Sequence, residues 1–151
     1  MIKYTIIFPG QGSQSIGMMD NVAHAPIIKK TFIEASDILG KDFWAMVTTE
    51  NEIINQTINT QPLMLTAGVA TWRYLQENNL DSPSFVAGHS LGEFTALVAA
   101  KSLSFESALN IVTKRAGLMQ DAVPNNEGAM AAIIGLDDEK VLDICSRKKE
   151  N

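Results

Sequence analysis

The residues best placed to do covalent chemistry in this 151-residue chain are Gly88-His89-Ser90-Leu91-Gly92. Their G-x-S-x-G spacing is that of a nucleophile elbow, a tight strand-to-helix turn. A Gly two positions either side of the Ser lets neighbouring backbone pass without collision. Ser90 would stand at the carboxyl edge of a sheet and at a helix N-terminus, whose dipole favours negative charge. The next N–H, of Leu91, would point where an oxyanion forms. The plainer reading is a glycine-rich βα turn with an incidental Ser. A Ser hydroxyl also needs a base to take its proton, and the chain holds two histidines, His24 and His89. His89 adjoins Ser90, and so sharp a turn aims the two side chains apart, so His89 reads as elbow support through hydrogen bonding. His24 lies beside a helix start and reads as a surface or capping residue. In elbow enzymes the base follows the Ser in chain order, and no His follows Ser90 here. The catalytic set is incomplete.

Arg115 is the second informative residue. On a helix, Ile111 four residues before it and Leu118 three after place it on a largely apolar face. A cation there must snorkel, pair with a carboxylate, or bind something anionic. Its planar fork can grip a free carboxylate through two hydrogen bonds, which a hydrolase for neutral esters would not require. A third segment, Phe8-Pro9-Gly10-Gln11-Gly12-Ser13-Gln14, is rich in Gly but is no dinucleotide fingerprint, because position fifteen is Ser15. Such a loop can bring backbone N–H groups to a reacting centre as the other half of an oxyanion hole. Alone it could equally be a flexible turn.

The elements that would hold these residues alternate between short apolar runs and helical patterns. Tyr4–Phe8 reads as a strand stopped by Pro9-Gly10. Pro26 suits a first helical position, and Ile28, Phe32, Ala35 and Leu39 follow at spacings of 4, 3 and 4 before Gly40. A long helix is expected from Thr60 as cap, with Pro62 in its first turn, to about Asn78; its apolar residues lie nearly all round, which predicts deep burial. Residues 84–87 form a strand that runs into the elbow, and Phe94 to Ala100 is helical by composition. Ser104 can cap a helix from Phe105 to about Ala122. Pro124, two Asn and Gly128 make the best subdomain boundary. Beyond it, Ala129–Ile134 reads as a strand and Asp137 as the cap of a helix carrying Val141, Ile144 and Cys145. This alternation predicts an α/β fold with mainly parallel strands. About three strands are few for a stable sheet, and the charged ending carries no helix stop, so the chain reads as cut short.

Composition narrows the function classes. The chain is 46% hydrophobic and 19% charged, an ordinary globular balance. Twelve Lys plus Arg against seventeen Asp plus Glu give a net charge of −5, without the basic footprint of a nucleic-acid binder. The longest uncharged stretch, Ile53–Trp72, is broken by Asn55, Gln56, Asn59, Gln61 and Pro62 and cannot span a membrane as a helix. The apolar run before Pro9 is too short for a signal peptide. Cys145, the single cysteine, leaves no internal disulfide and fits a reducing compartment. The expected location is the cytoplasm.

Taken in order, the segments resemble the malonyl-CoA:acyl carrier protein transacylase family of bacterial fatty-acid synthesis. The opening loop Phe8–Gln14, Thr60-Gln61-Pro62, Gly88–Glu93, Arg115, Met119-Gln120 and Gly128–Leu136 carry the likeness, which extends to about Cys145. The resemblance implies an α/β fold whose large subdomain is α/β-hydrolase-like, with a mainly parallel sheet, over residues 1–124. Residues 125–151 would be the first strand and helix of a ferredoxin-like insert. It further implies that Ser90 attacks the thioester of malonyl-CoA and that the phosphopantetheine thiol of acyl carrier protein then takes the malonyl group. Backbone N–H groups of Gln11 and Leu91 would bind the oxyanion, Arg115 the malonyl carboxylate, and Gly88, His89 and Gly92 would support the elbow. No metal or cofactor is implied, since CoA and carrier protein are substrates. Family members are considerably longer, and the later half, with the catalytic His, is missing here. These residues alone are therefore expected to be a weak catalyst. The rivals are a serine thioesterase or esterase using the same elbow, a non-catalytic module that binds carrier protein or CoA, and, more remotely, a nucleotide-binding domain.

Overall fold

A computed structural model of the chain describes residues 3–123, 127 and 133–147. Strand β1 (Thr5–Phe8) leads through a long loop to α1 (Pro26–Leu39) and the short α2 (Phe43–Thr48). One turn of 3₁₀ helix at Ile53–Asn55 precedes α3 (Thr57–Glu77). Then come β2 (Phe85–Gly88), α4 (Gly92–Ala99), α5 (Phe105–Asp121) and α6 (Asp138–Arg147). Among the described residues the two strands pair in parallel, with Thr5 opposite Phe85 and Phe8 opposite Gly88. The molecule is thus an α/β fold with parallel strands.

The helices form where the sequence supplies both an apolar stripe and a stop. In α1, Ile28, Phe32 and Ala35 are buried, and Gly40 closes the helix with its N–H on the Ser36 carbonyl. Ser104 caps α5 by accepting from the Ser107 N–H, and Asp137 caps α6 by accepting from the Lys140 N–H. The centre of the fold is α3, which packs on α1, α4 and α5. Every residue from Asn59 to Ala67 is buried, as an apolar surface nearly all round demands.

Two expectations need correcting. The helix α3 begins at Thr57, three residues before the expected cap at Thr60. The Thr60 hydroxyl is buried and donates to the carbonyls of Ile54 and Gln56, so it ties the helix back to the preceding 3₁₀ turn. Pro62 accordingly lies inside α3 rather than in its first turn. Second, α2 went unforeseen. It is six residues long, capped by the Asp42 carboxylate on the Ala45 N–H, and it buries Phe43, Met46 and Val47.

The sheet has one covered and one open face. Phe8 is buried and Ile6 and Val86 half-buried against α3 and α4, whereas Ile7 and Phe85 are 73% and 72% exposed on the other side. The strand expected at 129–134 falls outside the described residues except for Ile133 and Ile134, which are exposed and not in a strand. No residue of α6 is buried. No helix among the described residues is long and apolar enough to cross a membrane.

Candidate active site

Because Phe8 and Gly88 end the paired strands in register, the loops that follow them leave the same edge of the sheet. Those loops carry Gln11 and Ser90. They are in contact: the His89 N–H donates to the Phe8 carbonyl at 3.2 Å, and a Cβ built on Gly10 would lie 2.9 Å from the His89 carbonyl oxygen.

The elbow is as tight as its spacing predicts. Ser90 has φ +52°, in the left-handed region that a residue with a Cβ enters at a cost of about 1–2 kcal/mol. A Cβ on Gly88 would lie 2.0 Å from the Gly92 carbonyl carbon, and one on Gly92 would lie 2.2 Å from the Phe8 carbonyl oxygen. Both positions therefore exclude any side chain. The turn is closed by the Gly92 N–H on the His89 carbonyl at 2.9 Å and the Glu93 N–H on the Ser90 carbonyl at 3.2 Å. His89 thus holds the elbow through its backbone on both sides. Its ring has no hydrogen bond among the described residues, so the elbow's bonds through His89 are those of its backbone. Ser90 itself is exposed, at the mouth of α4, and Leu91 beneath it is buried.

Arg115 reaches this Ser from α5. Its Nη2 donates to Ser90 Oγ at 2.8 Å, and its Nη1 donates to Gln61 Oε1 at 2.6 Å. The Phe94 ring lies 5.9 Å from its Cζ, within cation–π range. Arg115 shares an apolar face with Ile111 and Leu118, as the spacing implies, and that face is open. Ile111 and Leu118 are 43% and 63% exposed, while the buried stripe of α5 runs through Phe105, Ala108, Leu109, Val112 and Ala116. Arg115 flanks that stripe, half-buried, and with Ile111, Lys114, Leu118, Met119 and Ala122 it lines a shallow groove of about 380 Å³.

Gln11 is held from a third direction. Its side-chain Nε2 donates to the Thr57 hydroxyl at the start of α3, at 3.1 Å. Beside it, Gln14 Nε2 donates to Asn55 Oδ1 at 3.1 Å while Gln14 Oε1 accepts from the Gly12 N–H at 2.8 Å. These bonds fix the loop, and the backbone N–H groups of Gln11 and Leu91 have no acceptor among the described residues. His24 stands apart, exposed, edge-on to Tyr74 at 6.2 Å.

Sequence reasoning gave Gln61 no role in the site. It is fully buried on α3 and grips Arg115 from below. The signal was an amide within the deeply buried stretch of a largely apolar helix, where an unpaired polar group would be costly. No group of three or more His, Cys, Asp or Glu side chains among the described residues could hold a metal ion.

Known proteins resemble this chain in sequence and in backbone. The malonyl CoA-acyl carrier protein transacylase of Salmonella typhimurium is 46% identical over 152 residues, covering 99% of this chain and 49% of that protein. The solved acyl carrier protein S-malonyltransferase of Vibrio cholerae is 49% identical, with TM-score 0.86 over 97% of this chain and 48% of its own. A malonyl-transacylase solved in complex with its type II PKS acyl-carrier protein is 48% identical, with TM-score 0.88 over 97% of this chain and 48% of its own. The chain spans about half the length of the curated relatives it matches. The family described as the acyl transferase domain matches residues 5–147, nearly the whole of the sequence, and the chain belongs to that family.

Proposed function

We propose that this chain carries the nucleophile and the carboxylate-binding half of a malonyl-CoA:acyl carrier protein transacylase, acting in fatty-acid synthesis in the cytoplasm. The observation that carries the reading is Ser90 at φ +52° with the Arg115 guanidinium 2.8 Å from its Oγ. An elbow Ser beside a cation that forms no ion pair among the described residues suits an acyl group that bears a negative charge. In the first half-reaction Ser90 Oγ attacks the malonyl thioester carbon. The C–S bond breaks, CoA leaves as the thiol with the proton Ser90 gave up, and a malonyl ester of Ser90 remains. In the second, the phosphopantetheine thiol of acyl carrier protein attacks that ester and Ser90 regains its proton. The free N–H groups of Gln11 and Leu91 would hold the oxyanion in both steps. Arg115 would hold the malonyl carboxylate, bidentate once its fork turns from Ser90. The scheme draws on no metal or cofactor, because thioester and thiol supply all the chemistry.

The finer fold reading belongs with this proposal. Residues 1–124 would be the first stretch of an α/β-hydrolase-like large subdomain, and 125–151 the opening of a ferredoxin-like insert. The base for Ser90 would come from outside these 151 residues, since no His follows Ser90. Loss of a general base costs about 10²–10⁴-fold, so this chain alone should acylate slowly. That a relative has been solved with an acyl-carrier protein supports a carrier thiol as acceptor.

Intact-mass spectrometry after long incubation with malonyl-CoA tests the reading. A malonyl adduct is expected on the wild type and not on Ser90→Ala. A folded sample that never forms the adduct would leave Ser90 idle and favour a non-catalytic module that binds carrier protein or CoA.

A further inference from the structure

Gln61 is 0% exposed, and a buried primary amide is tolerable only where its oxygen and its N–H groups find partners. Its partners are two residues of one helix: Oε1 accepts from Arg115 Nη1 at 2.6 Å, and Nε2 donates to Met119 Sδ at 3.2 Å. Met119 lies one turn beyond Arg115 on α5. The amide is therefore oriented with its oxygen toward the cation. A guanidinium is planar, so anchoring one Nη fixes the plane in which the other lies. Here the other Nη meets Ser90 Oγ at 2.8 Å.

The chemistry of the anchor matters as much as its place. Gln61 is neutral. It aligns Arg115 without discharging it, and Arg115 forms no ion pair among the described residues, unlike Arg73 and Arg147, which pair with Glu34 and Asp143. A carboxylate in the same place would align the fork equally well and cancel the charge that an acyl carboxylate needs. We propose that Gln61 is a positioning residue that sets the acyl selectivity of this site: it aims Arg115 at the acyl group on Ser90 and keeps the cation free, favouring carboxylated over neutral acyl donors. This rests on the transacylase reading above.

The test follows Ser90 acylation by intact mass over time, with malonyl-CoA and separately with acetyl-CoA, in the wild type, Gln61→Met and Gln61→Glu. Methionine fills similar volume without the acceptor, and glutamate keeps the acceptor but adds the charge. Both should lower the malonyl-to-acetyl rate ratio by about 10–100-fold, Gln61→Met by misplacing the fork by an ångström or so and Gln61→Glu by cancelling its charge. A ratio unchanged in both, with the two rates falling together, would make Gln61 merely structural and overturn the proposal. Should a Gln61 variant fail to fold, Met119→Leu, which releases only Nε2, should move the ratio in the same direction by less; an unmoved ratio there would count against it. If the wild type takes no malonyl group, the transacylase reading fails on its own. The positioning claim is then judged by ¹⁵N NMR of the Arg115 side chain. Resolved, slowly rotating Nη signals are expected in the wild type and their collapse in Gln61→Met; identical spectra would refute the anchor.

Discussion

Gly88→Ala adds one methyl group at the end of β2, and the structure allows its cost to be worked out. The new Cβ would lie 2.0 Å from the Gly92 carbonyl carbon, 2.1 Å from the Gly92 oxygen and 2.3 Å from the Glu93 nitrogen. Non-bonded carbons sit at about 3.5–4.0 Å, so the overlap is about 1.5–2 Å. None of these atoms belongs to a side chain that could rotate away. Nor can the first turn of α4 retreat freely, because Gly92 is itself wedged against the Phe8 carbonyl. Relief must open the crossing of β2 and α4 and stretch the Gly92–His89 and Glu93–Ser90 backbone bonds. Overpacking ordinarily costs about 1–3 kcal/mol, and two weakened hydrogen bonds add about 0.5–1.5 kcal/mol each. A loss of about 2–6 kcal/mol is expected, a large share of the ~5–15 kcal/mol that holds a typical domain together. Urea unfolding followed by the fluorescence of Trp44 and Trp72 would read it. With m near 1–3 kcal/mol per molar, the midpoint should fall by at least about 0.7 M. A Gly88→Ala protein that unfolds within about 0.3 M of the wild type and still acylates at Ser90 would show that close backbone approach is not what the Gly-x-Ser-x-Gly spacing provides.

Two further substitutions probe the rest of the fold. Gly117→Ala should stabilise the chain by about 0.5–1 kcal/mol, because Gly117 lies inside α5 and its Cβ would meet nothing nearer than Ile58 Cδ1 at 3.9 Å; a lowered thermal midpoint would refute that. Ile7 and Phe85 share the open face of the sheet at 73% and 72% exposure, so the isolated chain should self-associate as its concentration rises, through uncovered apolar surface and open strand edges. The double variant Ile7→Lys/Phe85→Lys should run closer to monomer by light scattering, and equal association in both proteins would place the sticky surface elsewhere.

Local chemistry was legible where it is self-contained. The strand Thr5–Phe8 and the helix Pro26–Leu39 carry their own pattern and punctuation, Pro26 at one end and Gly40 at the other. The elbow was legible because steric exclusion at Gly88 and Gly92 depends on spacing along the chain, and φ +52° at Ser90 follows from it. What failed depends on residues distant in sequence. Thr60 has the type of a helix cap, but its hydroxyl goes to Ile54 and Gln56 because the 3₁₀ turn lies beneath it. Arg115 does share an apolar face with Ile111 and Leu118, but that this face stays open was not legible, since burial of α5 follows Leu109, Val112 and Ala116 against α3. Gln61 and Arg115 are 54 positions apart, and no periodicity along one helix could pair them. Six-residue α2 was too short to show a period at all.

The bond between Arg115 and Ser90 also constrains how such a site can work. Arg can only donate, so Ser90 Oγ is the acceptor and the Ser proton must point elsewhere. The guanidinium lowers the electrostatic cost of negative charge on Oγ but cannot remove the proton, and a base is still required. The same bond occupies one of the Oγ lone pairs that would attack a thioester. In the proposed transfer an incoming carboxylate is the group best able to compete for the fork, since a charge-assisted pair outweighs a bond to a neutral hydroxyl. Binding the correct acyl group would then uncover the nucleophile, while a neutral acyl group would leave the fork on Ser90. Arg115→Met, which removes both the latch and the carboxylate site, should therefore change malonyl and acetyl acylation in opposite directions, the first falling and the second rising, as read by intact mass under equal concentrations of the two thioesters. A parallel fall in both would mean that Arg115 serves the nucleophile itself and that selectivity arises elsewhere in the site.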